Sequence, residues 1–125
     1  MNLVDSSAWL EYFAGGSLAG QLARPIELTD KLLVPTIVIY EVGKRVMQQR
    51  GEDAALQVVA VMHQGTVVDL DATIALNAAQ LSVVNKLPLA DSVILATARL
   101  HEATIWTLDA DFKGLPGVRC FAREK

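Results

Sequence analysis

The N-terminal stretch Met1-Asn2-Leu3-Val4-Asp5-Ser6-Ser7 decides the fold, because a short apolar strand in it runs directly into a helix start. The predicted helix extends to Phe13, and Ser6 or Ser7 can cap it by accepting a hydrogen bond from a backbone N–H. This order indicates the first βα unit of an open α/β sheet. In such sheets the functional crevice lies at the carboxyl ends of the strands, where Asp5 would stand. Asp5 could also be only a helix cap, and both interpretations stay open at this point.

Strand and helix patterns alternate along the rest of the chain. Beyond the first strand and the helix at 6–13, strands are predicted at 31–34, 66–70, 103–107 and 118–122. Helices are predicted at 36–50, 52–63, 72–86 and 87–102, with Thr36 and Asp71 as caps, and 17–29 is expected to be short helix and loop, with Pro25 interrupting it or starting a turn. This alternation predicts an α/β protein, three-layer α/β/α with a central, mainly parallel sheet of about four to five strands, and one domain over residues 1–125.

The composition is apolar for a chain of 125 residues: 52% of them are hydrophobic, and the net charge is −3. No apolar run reaches the roughly 18 residues that a membrane span needs. The excess therefore predicts a buried parallel sheet and, as a hypothesis, an interface with a second copy or a partner. No signal peptide pattern is present, so a cytoplasmic location is the default expectation. The single cysteine, Cys120, allows no internal disulfide and is predicted to be an inert core residue.

Five acids stand where an α/β fold could use them. Each falls near the carboxyl end of a strand or on the helix just beyond it: Asp5, Glu41, Asp91, Asp109 and Asp111. A charge inside an apolar helix is costly to bury unless it is paired or bound to a metal ion. Clusters of carboxylate oxygens suit Mg²⁺ or Mn²⁺ better than zinc.

Each acid also has a purely structural interpretation, which the sequence leaves open. Glu41 could form a helical salt bridge with Arg45, four residues later. Asp91 could be a favourable charge at a helix N-terminus. Asp109 and Asp111 could be ordinary turn residues.

A carboxylate-bound metal ion would allow phosphoryl chemistry without a side-chain nucleophile. The sequence agrees, since it contains neither a G-x-S-x-G elbow nor a G-x-x-x-x-G-K-[ST] phosphate loop. The two histidines, His63 and His101, lie near predicted helix ends and are expected to be surface residues.

Four segments in the same order carry a family likeness. They are 3–7 (Leu-Val-Asp-Ser-Ser), 34–42 (from Val-Pro to Tyr-Glu-Val), 87–98 (Leu-Pro-Leu-Ala-Asp-Ser and the apolar run after it) and 107–112 (Thr-Leu-Asp-Ala-Asp-Phe). With these segments the chain resembles PIN-domain ribonucleases, and specifically the VapC-type toxins of bacterial toxin–antitoxin pairs. The resemblance covers nearly the whole chain.

The resemblance implies a Mg²⁺- or Mn²⁺-dependent endoribonuclease. By the same likeness, Asp5 and Asp91 would be direct metal ligands, and Glu41 would complete the acidic pocket directly or through water. Asp109 matches the fourth acid of the family best, while Asp111 is a second candidate. Two hydroxyl positions that commonly line the pocket are matched by Ser6 and Thr107. The implied partners are an RNA substrate, a cognate antitoxin and a second copy of the chain in a homodimer.

Basic and aromatic side chains near these segments could bind RNA. Six cations could grip phosphates (Lys44, Arg45, Arg50, Lys86, Arg99 and Lys113), although scattered solvated charges are the simpler interpretation. Three aromatic residues of the first helix, Trp9, Tyr12 and Phe13, could stack on bases. Their spacing favours packing in the core or an interface.

Three other classes compete with the nuclease. A phosphatase of the haloacid-dehalogenase type needs a second Asp two residues after the first, and that position is Ser7 here. A receiver-type regulatory module expects an early acidic pair and a late lysine after a strand, which this order of acids does not provide. A non-catalytic binding module with an acidic metal pocket is the main alternative.

Overall fold

Five short strands form one parallel sheet in the computed structural model, which describes residues 1–122. They are β1 (Asn2–Val4), β2 (Leu32–Pro35), β3 (Thr66–Val68), β4 (Thr104–Thr107) and β5 (Val118–Cys120). Their order is β3-β2-β1-β4-β5, and every neighbouring pair is parallel. This confirms the predicted class, a three-layer α/β/α arrangement around a parallel sheet.

Six α-helices connect the strands within residues 1–122. They are α1 (Ser6–Ala14), α2 (Ala19–Glu27), α3 (Thr36–Arg50), α4 (Glu52–Met62), α5 (Ala72–Asn85) and α6 (Leu89–Leu100). Consecutive helices pack in pairs, α1 with α2, α3 with α4 and α5 with α6. Two 3₁₀ turns, Thr29–Lys31 and Ala110–Phe112, complete the connections.

The central strand β1 fixes the position of the site. The chain leaves β1 toward β2 on one side, and it later returns to place β4 on the other side. The connections therefore diverge between the carboxyl ends of β1 and β4, and such a switch point leaves a crevice in an open α/β sheet. The hydrogen bonds between β1 and β4 continue one residue beyond the end of β1, since the Asp5 N–H donates to the Trp106 carbonyl at 3.0 Å.

The core lies on this central part of the sheet. Its strand side chains, Leu3, Val4, Leu33, Val34 and Ile105, are essentially inaccessible to solvent. A smaller apolar cluster joins α5 to α6 through Ile74, Ala78, Val93 and Ala96. Burial on both faces explains why the strand segments read as apolar runs rather than as alternating patterns.

Helix starts differ in part from the predictions. The cap of α1 is Asp5, whose Oδ1 accepts from the Ala8 N–H at 3.2 Å, so the prediction of Ser6 or Ser7 as cap was wrong. Thr36 does not cap α3 either, because it is already the first helical residue and Pro35 holds the cap position without a side-chain bond. Asp71 caps α5 as predicted, accepting from the Ile74 N–H at 2.9 Å.

Three other details correct the sequence-based elements. Pro25 lies inside α2, near its end, and does not interrupt it. The third strand ends at Val68 instead of residue 70. Cys120 is exposed rather than in the core, because β5 is the edge strand of the sheet and, within residues 1–122, pairs only with β4.

Predictions for the histidines and for Trp9 are confirmed. His63 and His101 are exposed. Trp9 is fully buried and stacks on Phe13, with ring centroids 5.5 Å apart. Among residues 1–122, no single helix is long and apolar enough to cross a membrane; α5 and α6 reach that composition only as a pair, bent by 116°.

Candidate active site

Asp5 stands at the end of β1, buried and held by three donors. Its Oδ1 accepts from the Ser7 hydroxyl at 2.7 Å as well as from the Ala8 N–H, and its Oδ2 accepts from the Thr107 hydroxyl at 2.8 Å. A carboxylate offers about four lone-pair directions, so roughly one direction, on Oδ2, stays open. Asp5 is thus both the helix cap and an acid with one oxygen still able to bind a cation.

Two hydroxyls lock the end of β1 to the end of β4. Ser7 Oγ donates to Asp5 and accepts from the Leu108 N–H at 2.9 Å. Thr107 Oγ1 likewise donates to Asp5 and accepts from the Asp109 N–H at 2.9 Å. Each hydroxyl therefore bridges a backbone N–H of the loop after β4 and the Asp5 carboxylate. These bridges fix the rotamer of the Asp5 side chain.

Ser7 is the site residue that the sequence analysis missed, since it was considered only as a helix cap and as a mismatch to a phosphatase. Its partner Leu108 lies about one hundred residues away along the chain. The tandem hydroxyls after Asp5 were a signal in the sequence, but only the β1–β4 pairing selects Ser7 over Ser6 for this contact.

Asp91 reaches the same place from α6. It lies in the first turn of that helix, within a continuous run of buried residues from Asp91 to Ala98, and only 8% of it is exposed. The helix N-terminus favours a negative charge there, whereas burial opposes it.

The loop after β4 supplies the other acids. Asp109 caps the 3₁₀ turn Ala110–Phe112, and its Oδ1 accepts from the Asp111 N–H at 2.9 Å. Oxygens of Asp91, Asp109 and Asp111 all lie within 4.8 Å of one another. We call these three residues the acidic cluster.

The crowding of these acids raises two pKa values. Burial raises the pKa of Asp91 to about 8, and the charge of Asp109 and a hydrogen bond with it add to the effect of burial, followed by the charges of Asp5 and Asp111. Burial also raises the pKa of Asp5 to about 6, although its bonds to Ser7, Thr107 and Ala8 act in the opposite direction. Without a cation, Asp91 therefore keeps a proton near neutral pH.

The two candidates for the fourth acid, Asp109 and Asp111, differ in which carboxyl pKa values their charges raise. The Asp109 charge raises the pKa of both Asp5 and Asp91. Asp111 acts on the pKa of Asp91 but is not among the groups that shift Asp5. Asp109 thus acts on both buried acids, while Asp111 is the exposed member of the acidic cluster.

Glu41 stands outside the acidic cluster, on α3. Its Oε1 accepts from the hydroxyl of Ser6, the residue next to Asp5, at 2.5 Å. Glu41 therefore contacts the start of α1 and does not form the helical pair with Arg45. Ser6 contacts Glu41 and is only the sequence neighbour of Asp5, whereas the Thr107 hydroxyl donates to the Asp5 carboxylate itself.

The donor set fits a hard divalent cation. The acidic cluster offers only carboxylate oxygens, and Asp91 is buried among like charges instead of beside a base. All six candidate phosphate-binding cations are exposed: Lys44, Arg45, Arg50, Lys86, Arg99 and Lys113. Oxygen-rich sites of this kind suit Mg²⁺ or Mn²⁺.

Comparison with known proteins agrees with the fold. The PIN domain profile matches residues 3–118. A toxin–antitoxin complex from Klebsiella pneumoniae is similar at a TM-score of 0.84 and 25% identity, over 98% of this chain and 100% of that one. No curated protein gives a significant sequence match.

Two more distant structures share the fold. The VapC20 toxin of Mycobacterium tuberculosis, described as cleaving the sarcin–ricin loop, is 19% identical at a TM-score of 0.76, over 94% of this chain and 97% of that one. DNA-bound VapBC from Salmonella typhimurium is 16% identical at a TM-score of 0.74, over 98% of both chains. The profile match over residues 3–118 confirms the resemblance to PIN-domain proteins read from the four sequence segments. The chain belongs to the PIN domain family.

Proposed function

We propose that this chain is a metal-dependent endoribonuclease that acts as the toxin of a toxin–antitoxin pair. The observation that carries the proposal is the acidic cluster, in which three carboxylates meet within 4.8 Å at the switch point of the sheet. Burial raises the pKa of Asp91 to about 8, and repulsion from Asp109, Asp5 and Asp111 contributes to the same rise. A site of this kind stabilises the fold poorly and binds a divalent cation well.

The residues proposed to hold the cation are Asp91, Asp109, Asp111 and the open oxygen of Asp5. When bound, a divalent cation neutralises a phosphodiester and makes water a stronger nucleophile. The role of this chain is to keep the carboxylates in place before the cation arrives. The Ser7 and Thr107 hydroxyls keep the Asp5 carboxylate in place by fixing its rotamer. Asp91 is held by its position in the first turn of α6.

Glu41 is proposed to act at the edge of the site. Glu41 projects from α3 and accepts from the Ser6 hydroxyl beside Asp5. From there it would hold a water molecule or receive a proton. We assign the fourth acid to Asp109 on the basis of its reach to both Asp5 and Asp91, and we assign Asp111 a supporting part.

The proposed partners follow from the relatives. The similar Klebsiella structure is a toxin–antitoxin complex, so we propose a cognate antitoxin for this chain. The VapC20 toxin is described as cleaving the sarcin–ricin loop, so we propose RNA as the substrate. We propose a cytoplasmic location, where RNA and antitoxin would meet this chain.

A homodimer is proposed from the surface of α5. This helix contains no charged residue, and it leaves Leu76, Val83 and Val84 at least 70% exposed. Exposed apolar surface of this kind is typical of an interface. Analytical ultracentrifugation is expected to give a dimer for the wild type and a monomer for Val83→Glu; a wild-type monomer would contradict the proposal.

Cleavage of total bacterial RNA by the purified, antitoxin-free protein tests the nuclease proposal. We expect cleavage with Mg²⁺ or Mn²⁺, none with a chelator, and a loss of about a hundredfold or more in Asp5→Asn and Asp91→Asn, since a preorganised charged group is worth about that much. Asp53→Asn is the matched control, because Asp53 is also an acid in a first helical turn, but on α4 and exposed. A folded wild type that cuts no RNA with either metal would favour a non-catalytic binding module.

A further inference from the structure

A cavity of about 620 Å³ opens beside the acidic cluster, at the carboxyl ends of β4 and β5. Its walls include Ser7, Leu108, Lys113, Cys120 and Phe121. The volume falls within the range of about 300–1,000 Å³ that is usual for small-ligand sites. We call this space the side cavity.

The side cavity borders the candidate active site, although none of the site acids is among its wall residues. Ser7 lines it and also donates to Asp5 Oδ1 at 2.7 Å. Leu108, another wall residue, directly precedes Asp109 of the acidic cluster. A chain molecule bound by one of its groups at the acids would therefore extend its neighbouring unit into the side cavity.

One wall of the side cavity is a braced aromatic ring. Phe121 stacks on Trp106 with centroids 5.9 Å apart and planes at 18°. The Arg119 guanidinium lies 4.3 Å from the Trp106 ring centroid and 5.9 Å from that of Phe121. Trp106 is fixed in turn by donating from Nε1 to the Asn2 side chain at 3.0 Å. A ring held in this way is a rigid platform for another flat ring.

The rest of the wall is mixed in chemistry. Lys113 is exposed and contributes a cation, whereas Leu108 and Phe121 contribute apolar surface. An aromatic platform beside a cation is the combination that binds single-stranded nucleic acid, with the base on the ring and the phosphate at the cation. A purely apolar peptide would not use Lys113, and an anion alone would not use Phe121.

We propose that the side cavity holds the nucleotide next to the scissile phosphate of a single-stranded RNA, with its base against Phe121 and a phosphate at Lys113. This inference rests on the proposed nuclease function and adds a subsite that selects the substrate. In this arrangement Phe121 and Lys113 position the RNA, and the acids carry out the cleavage.

Chemical modification of Cys120 tests occupancy of the side cavity in the unaltered protein. Cys120 is the only cysteine of the chain, is exposed and lines the side cavity, so a thiol-reactive disulfide reports on it alone. The probes are single-stranded hexaribonucleotides of each base, with a chelator present so that nothing is cut. At about ten times its Kd, a bound oligonucleotide should slow the modification about tenfold, because only the free protein reacts.

A matched probe without bases separates stacking from charge. A sugar–phosphate oligomer of the same length is expected to protect Cys120 much less than the hexaribonucleotides. Equal protection by both probes would overturn the stacking part of the proposal. Protection by the antitoxin but by no oligonucleotide would assign the side cavity to a protein partner and overturn the proposal altogether.

Variants give an independent test by fluorescence anisotropy of labelled hexaribonucleotide. Phe121→Leu keeps apolar bulk but removes the aromatic ring, and it should weaken binding about fivefold or more, while Phe121→Tyr should bind as the wild type does. Lys113→Ala should reduce both affinity and salt dependence. Lys31→Ala is the control, since Lys31 is exposed but precedes β2 at the opposite end of the sheet.

Failure of the subsite and failure of the nuclease are distinguishable. Wild-type binding and metal-dependent cleavage, together with unprotected Cys120 and normal affinity in Phe121→Leu, would overturn the subsite and leave the nuclease intact. Absence of both RNA binding and cleavage would overturn the two proposals together.

Discussion

The Asp91→Asn variant should change how the stability of the metal-free protein depends on pH. The pKa of Asp91 is about 8 in the folded protein, because of burial and then of Asp109, whereas an unfolded Asp has a pKa of about 3.9. Between these values the folded state binds the extra proton. Stability therefore falls as pH rises from about 4 to about 8, and Asn at this position removes that dependence.

One fully linked proton changes the free energy of unfolding by about 1.36 kcal/mol per pH unit, so the ceiling between pH 5 and 7 is about 2.7 kcal/mol. Relaxation of the protein around the charged Asp91 should reduce this to about 1–1.5 kcal/mol. For a chain of this length that corresponds to about 4–7 °C in Tm. Relative to Asp91→Asn, the wild type should lose that much between pH 5 and 7.

The assay is thermal unfolding followed by far-UV circular dichroism, with a chelator, at pH 5, 6, 7 and 8. Groups elsewhere, such as the exposed histidines, cancel in the difference between the two proteins. Mn²⁺ at pH 7 should raise the Tm of the wild type more than that of the variant, because binding to the folded state adds stability. Parallel pH curves for the two proteins, or a wild type that gains relative stability toward pH 7, would refute the account of Asp91.

Two further predictions concern positioning and packing. Ser7→Ala should lower RNA cleavage about tenfold and move the acid limb of its pH profile to higher pH. The reason is that the Ser7 hydrogen bond lowers the pKa of Asp5 in the wild type, so its loss raises that pKa. Ser7→Thr should restore both the rate and the pH profile, and an unchanged pH profile in Ser7→Ala would argue against this positioning role. Gly16→Ala should destabilise the fold by about 1–3 kcal/mol in urea unfolding, since its Cβ would collide with the Glu11 carboxylate. That carboxylate is buried and accepts from the Leu18 N–H at 3.0 Å, so it cannot move aside without losing this hydrogen bond. Gly20→Ala, which meets nothing within 4 Å in α2, should instead be neutral or stabilising, and equal effects of the two alanines would contradict this packing account.

Much of the fold could be predicted from the sequence because its signals are local. Apolar runs such as 32–34 mark strands that are buried on both faces, and Gly51 or Asp71 marks a helix boundary within a few residues. The order of these signals gave the parallel α/β class, since a strand followed by a helix has few ways to pack.

The remaining details depend on contacts that the local sequence does not contain. Asp5 caps α1 in place of Ser6, because Ser6 is engaged by Glu41 from another helix. Ser7 is drawn to Leu108 by the β1–β4 pairing, and Cys120 is exposed because nothing pairs with the outer edge of β5 among the described residues.

The site could be predicted only as a set of acids. From the sequence, each acid was predicted near the end of a strand or on a helix beyond it. The sequence could not show that Asp91, Asp109 and Asp111 meet within 4.8 Å while Glu41 accepts from Ser6 outside that cluster. The acidic cluster joins α6 to the loop after β4, and this meeting depends on long-range packing that the local sequence does not contain.

Calorimetric titration of Mn²⁺ into the metal-free protein at pH 7, in two buffers of different ionisation enthalpy, tests most directly whether the acidic cluster is a cation site. Mn²⁺ binding should release close to one proton, since Asp91 must give up its proton to become a ligand. Binding should be lost in Asp91→Asn and retained in Asp53→Asn. Absence of binding to the wild type, or equal binding to Asp91→Asn without proton release, would contradict the account.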